Sequence, residues 1–174
     1  PGEGKSFIVG RLAHRLAVAG AAQVAVADAN AAHPSLHRCF KVPVAGAGLF
    51  DCIAEGRVID AQWVRSTVNR VEVMPTRVGA RASMLMRVAA VNRVFDGFRA
   101  RFAITIVDAG VLARTGCLTQ LADATLIVVD ARRTRREAVA RALAGTHIDR
   151  GRVMGVVLNR RPGYVPQWLS RSVA

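Results

Sequence analysis

Five short apolar runs recur along this 174-residue chain, and four of them run straight into an aspartate or asparagine. The runs are Val24 to Ala27, Val71 to Met74, Ala103 to Val107, Thr125 to Val129 and Val153 to Leu158, and the residues that end them are Asp28, Asp108, Asp130 and Asn159. Helical periodicity fills the intervals: Ile8, Leu12 and Leu16 form one stripe, and Leu85, Val88, Val91, Phe95 and Phe98 a longer one. Thr134-Arg-Arg-Glu137 has the capping-box pattern and predicts a helix start just after Asp130. Strands alternating with helices imply an α/β fold, a mostly parallel sheet with helices on both faces. In such a sheet the carboxyl ends of the strands line one crevice where ligands bind. One strand-end aspartate is as readily a loop cap as a site residue; four polar strand ends together point to a site.

The first residues name a ligand class. Gly2-Glu3-Gly4-Lys5-Ser6 reads as the second half of G-x-x-x-x-G-K-[ST], a loop whose backbone amides cradle phosphates; the first half would precede Pro1. The chain has 25 lysines and arginines, of which only Lys5 and Lys41 are lysine. A compact ammonium enters a nest of amides around a phosphate where a planar guanidinium does not fit.

Composition narrows the rest. The length and a 52% apolar content fit one domain. No apolar run approaches a membrane span and no signal peptide opens the sequence, so the chain is read as soluble and cytoplasmic. Cys39, Cys52 and Cys117 are far apart and in no CxxC pair; they are read as small buried side chains. The net charge of +13 is scattered, with Arg132-Arg133 and Arg135-Arg136 the only dense cluster. With no aromatic residues interleaved there, the charge is read as a solvated basic surface, and nucleic acid is not expected as a partner. His14, His33, His37 and His147 lack metal-ligand spacing and are read as solvated or capping; Met84 and Met86 are read as core or edge packing. Trp63 and Trp168 remain unplaced.

From Pro1 to about Arg161, the motifs "PGEGKS", "VAVADANAAHPSLHRCF", "AGLFDCIAEG", "FAITIVDAG", "LIVVDARRTRREAV" and "GVVLNR" occur in the order of the P-loop domain of bacterial tyrosine kinases of capsule and exopolysaccharide synthesis. The chain resembles that family, which is related to the MinD and ParA ATPases. The resemblance implies a P-loop NTPase fold that lacks its first strand, because in the family a buried strand and the start of the loop precede "PGEGKS". It implies a nucleotide-binding domain over 1–161 and a short tail over 162–174.

The resemblance also assigns roles. Gly2, Glu3, Gly4, Lys5 and Ser6 would hold the phosphates of ATP, with Lys5 neutralising the β and γ oxygens. Ser6 and Asp108 would hold Mg²⁺, Asp28 would accept the proton of the attacking hydroxyl, and Asn159 would read the adenine edge. Expected partners are a cytoplasmic segment of a membrane polysaccharide-export protein, which would bring the domain to the inner face of the membrane, a tyrosine-bearing substrate, and further copies of the chain. The sequence departs from the pattern at Asn30 and Ala32, where D-x-D-x-R is usual, at Gly110 in place of the first proline of D-T-P-P, and in having Tyr164 as its one tyrosine. Three activities stay open: a tyrosine kinase, a MinD- or ParA-like ATPase switch, and a non-catalytic nucleotide-binding regulator.

Overall fold

A computed structural model describes residues 2–20, 23–44, 48–56, 63–66, 71–76, 87–112, 116–145, 148 and 150–161. Leu85, Met84, Met86, His147, Tyr164, Trp168 and the 162–174 tail lie outside them. All five apolar runs are strands: β1 (Val24–Ala29), β3 (Glu72–Met74), β4 (Ile104–Ala109), β5 (Thr125–Asp130) and β6 (Val153–Asn159), with a two-residue β2 (Val64–Arg65) in addition. The helices are α1 (Lys5–Val18), α2 (Leu36–Phe40), α3 (Leu49–Glu55), α4 (Val88–Arg101), α5 (Gly116–Leu121) and α6 (Arg136–Ala144).

Four strands form one sheet in the order β2-β3-β1-β4, parallel except for β2. Strand β1 is buried on both faces. Ala25, Ala27 and Ala29 face a cluster with Phe95, Phe98 and Trp63, where small strand residues leave room for aromatic rings. Val24 and Val26 face the opposite cluster, with Ala13, Leu36 and Phe40. Trp63 packs edge-on to Phe98 and Phe102, at centroid distances of 5.3 and 4.6 Å.

Strands β5 and β6 form a separate parallel pair. An apolar slot of about 690 Å³ lies between β4 and β5, and the predicted stripe of Ile8, Leu12 and Leu16 lines it. No strand of the described residues occupies this slot. The buried hydroxyls of Thr105 on β4 and Thr125 on β5 have no hydrogen-bond partner among the described residues. This is the α/β core expected when the leading strand is absent from the sheet: mostly parallel, flanked by helices, and divided beneath the loop that enters α1.

Three expectations are corrected. Helix α6 begins at Arg136 with Arg135 as its N-cap and no side-chain cap, so Thr134 closes no capping box. The turn uses that residue otherwise: the N–H groups of Arg133 and Thr134 bond back to the Asp130 carbonyl. Of the cysteines only Cys52 is buried; Cys39 is exposed and Cys117 half-buried. His14 and His37 are half-buried rather than solvated, each with Nδ1 enclosed and unpartnered among the described residues.

Candidate functional site

The loop entering α1 turns through two left-handed glycines, Gly2 at φ 90° and Gly4 at φ 88°, a region most side chains avoid. Gly4 is the N-cap of α1, and its carbonyl accepts the Ile8 N–H. The N–H groups of Lys5, Ser6 and Phe7 therefore have no partner within the helix, which makes its first turn an anion-binding end. Lys5 Nζ lies 2.7 Å from Glu3 Oε2. Burial raises the Glu3 pKa, but the Lys5 hydrogen bond and charge, with other hydrogen bonds, outweigh it and hold the carboxyl at about 2. Glu3 is expected from the sequence among the residues that hold the phosphates, not as the partner of the Lys5 side chain. Its place two residues before the lysine was the available signal for this pairing.

Ser6 brings α1 against the end of β4, where its hydroxyl donates to Asp108 Oδ2 at 2.5 Å. The other oxygen, Oδ1, is buried and has no partner among the described residues. Burial pushes Asp108 up to about 6; the Ser6 bond and Lys5 act downward and the neighbouring Asp28 charge upward. An unpartnered carboxylate oxygen beside a hydroxyl is a hard-oxygen donor set of the kind Mg²⁺ takes, so these residues fit that ion.

Asp28 lies in register with Asp108 across the β1/β4 ladder. It is fully buried, and it serves as a helix cap: Oδ1 accepts the Asn30 N–H, and Oδ2 accepts those of Ser35 and Leu36 at the start of α2. Burial raises its pKa while these three backbone bonds stabilise the charged form. The Asn30 side-chain amide donates to the His33 carbonyl at 3.0 Å. Its Oδ1 is 3.4 Å from where a Cβ on Gly110 would be, so the two departures from the acidic motifs face each other.

At the end of β6, Asn159 binds the protein with both ends of its amide. Nδ2 donates to the Glu3 carbonyl at 2.7 Å, and Oδ1 accepts the Arg160 N–H. Arg160, at φ 57°, turns its guanidinium onto Asp130 Oδ2 at 2.9 Å. The Arg132 N–H bond and Arg160 lower the Asp130 pKa. Thus Gly2 through Ser6, Asp28, Asp108 and Asn159 converge at one edge of the fold, whereas Asp130 caps the turn that follows β5 and holds Arg160 just after β6. The role of Arg160 went unread because it depends on a left-handed residue that no pattern in the sequence marks.

No family model matches the chain, and no curated protein matches it. Among solved structures it is similar to the kinase domain of VpsO, with a TM-score of 0.75 and 20% identity over 93% of this chain and 81% of that one. It is similar to the kinase domain of Escherichia coli tyrosine kinase ETK, with a TM-score of 0.79 and 19% identity over 95% and 67% of the two chains. The septum site-determining protein MinD from Pyrococcus horikoshii OT3, complexed with Mg-ADP, gives a TM-score of 0.68 and 16% identity over 99% and 72%. The fold is the P-loop NTPase fold that these kinase domains and MinD share.

Proposed function

We propose that this chain binds Mg-ATP and transfers phosphate to protein tyrosine in exopolysaccharide or capsule synthesis. The observation that carries the nucleotide reading is the Ser6–Asp108 pair, with its unpartnered carboxylate oxygen, beside Lys5 and the free amides of α1. The amides of Gly2 to Ser6 hold the phosphates, and Lys5 leaves Glu3 to neutralise the β and γ oxygens. Ser6 and Asp108 hold Mg²⁺, which when bound supplies charge neutralisation across the phosphate oxygens. Asp28 orients the acceptor hydroxyl and takes its proton once an acceptor competes with its backbone bonds. Asn159 keeps the loop against β6, and reaching an adenine edge requires its bond to Glu3 to open. The tyrosine part of this reading rests on the sequence motifs and on likeness to the ETK tyrosine kinase domain, and the polysaccharide part on the sequence motifs alone.

Residues 1–161 form the nucleotide domain in this reading. It acts in the cytoplasm, at the inner face of the membrane, through a cytoplasmic segment of an export protein, and self-association is part of the same expectation. Among the described residues no helix is long and apolar enough to cross a membrane. A second reading, a nucleotide-binding regulator with little turnover, is favoured by the three amides that already occupy Asp28 and by Asn30 in a carboxylate position. Transfer from labelled ATP to a tyrosine peptide by the full-length protein separates the two. The kinase reading predicts slow transfer abolished by Asp28→Ala; ATP binding with no transfer from any variant would leave the regulator.

A further inference from the structure

The arginine cluster after β5 has no part in the site described above. Its backbone turns around Asp130, and the side chains of Arg133, Arg135 and Arg141 line an open recess of about 770 Å³ together with Thr134, Glu137 and Glu3 of the phosphate loop. All three arginines are exposed. Among the described residues no carboxylate forms an ion pair with any of them, although Arg133 acts on Asp130 through its charge. Three arginines face two carboxylates, Glu3 and Glu137, in the lining, so positive charge is in surplus whether or not Lys5 stays on Glu3.

We infer that this recess docks an acidic segment of a partner polypeptide next to the phosphate loop. Guanidinium groups on a concave surface match carboxylates in geometry as well as charge. No aromatic side chain lines the recess to stack on a base, and its largest apolar side chain is Ala138, which gives a bilayer nothing to receive. A segment held against Glu3 lies beside Lys5, so acidic residues there would flank an acceptor presented to the phosphates. The inference depends on the phosphotransfer reading for what the segment delivers, and not for its docking.

The test uses the full-length protein and a short fluorescent peptide of alternating Glu and Tyr, with a Gln/Tyr peptide, an oligothymidylate and phosphatidylserine vesicles as the other arms. The acidic peptide is expected to bind most tightly, and the double variant Arg135→Glu/Arg141→Glu to weaken it by about tenfold or more. Affinity for a fluorescent ATP analogue is expected to stay unchanged in that variant. Unaltered peptide binding in the variant would overturn the inference, as would competitive displacement of the peptide by saturating ATP analogue. Tighter, arginine-dependent binding of the oligonucleotide or the vesicles would overturn it in favour of those ligands. Peptide docking without ATP binding in the wild type would refute the nucleotide reading and leave the docking surface standing.

Discussion

The side-chain amide of Asn159 closes the phosphate loop onto β6: Nδ2 donates to the Glu3 carbonyl at 2.7 Å, and a Cβ added to Gly4 would fall 2.2 Å from that nitrogen. Gly4 is thus required twice, by its φ of 88° and by the closeness of Asn159. Gly4→Ala is expected to weaken ATP-analogue binding by at least about tenfold, since the loop must shift away from its anion-binding geometry. Adding Asn159→Ala to that variant should recover part of the loss by removing the clash but not the backbone strain. Titration of the single and double variants checks this, and equal affinity of Gly4→Ala and wild type would contradict it.

Asp108 sets a pH dependence of known sign. Its pKa is pushed up to about 6 from an ordinary 3.8, so between those values the folded state binds more protons than the unfolded one. Stability from this group is therefore greatest at low pH and is lost as pH rises from about 4 to about 6, by about 3 kcal/mol. In chelator, Asp108→Asn is expected to melt at a higher temperature than wild type at pH 7 and to lose that advantage near pH 4. A lower melting temperature at pH 7 would count against the burial argument.

Five of the six strands were legible in the sequence because each is a compact apolar run, four of them ending on a polar residue, and β1 and β4 could be brought to the site once Asp28 and Asp108 were seen as strand ends; the two-residue β2 is too short to show a pattern. Helices α2, α3 and α5 were not legible, since each is too short to show a period. The cap of α2 was hidden for another reason. Asp28 reaches Ser35 and Leu36 seven and eight residues ahead, a separation that only the tertiary path of the loop brings together. Trp63 was equally opaque, because its partners Phe98 and Phe102 lie far along the chain.

Asn30→Asp restores the carboxylate usual in the resembled family, and it is expected to raise phosphotransfer. Electrostatic changes of this kind are worth a few kcal/mol, or about 100-fold in rate at the upper end. The substitution also removes the amide donor to the His33 carbonyl, so a stability loss of about 1 kcal/mol should accompany the gain. Initial rates with labelled ATP and urea titration measure the two effects; no change in rate would remove Asn30 as the limiting substitution.

Trp63 is the centre of an aromatic group with Phe98 and Phe102, and it is buried. Trp63→Ala is expected to cost about 3 to 5 kcal/mol. Trp63→Phe should cost much less, because the indole N–H is already without a partner among the described residues. Chemical denaturation of both variants tests this; equal losses would show that the ring packing contributes little.

The central claim is that Lys5, Ser6 and Asp108 form an Mg-nucleotide site, and equilibrium titration of a fluorescent ATP analogue into the full-length protein, with and without Mg²⁺, tests it most directly. Lys5→Ala is predicted to lose at least about 100-fold in affinity, through the loss of a charge-assisted phosphate contact together with repulsion between the phosphates and a Glu3 carboxylate that Lys5 no longer offsets. Asp108→Asn is predicted to abolish the Mg²⁺-dependent part of binding while folding normally. Equal affinity of wild type and Lys5→Ala, or an Mg²⁺ response that survives Asp108→Asn, would contradict the account.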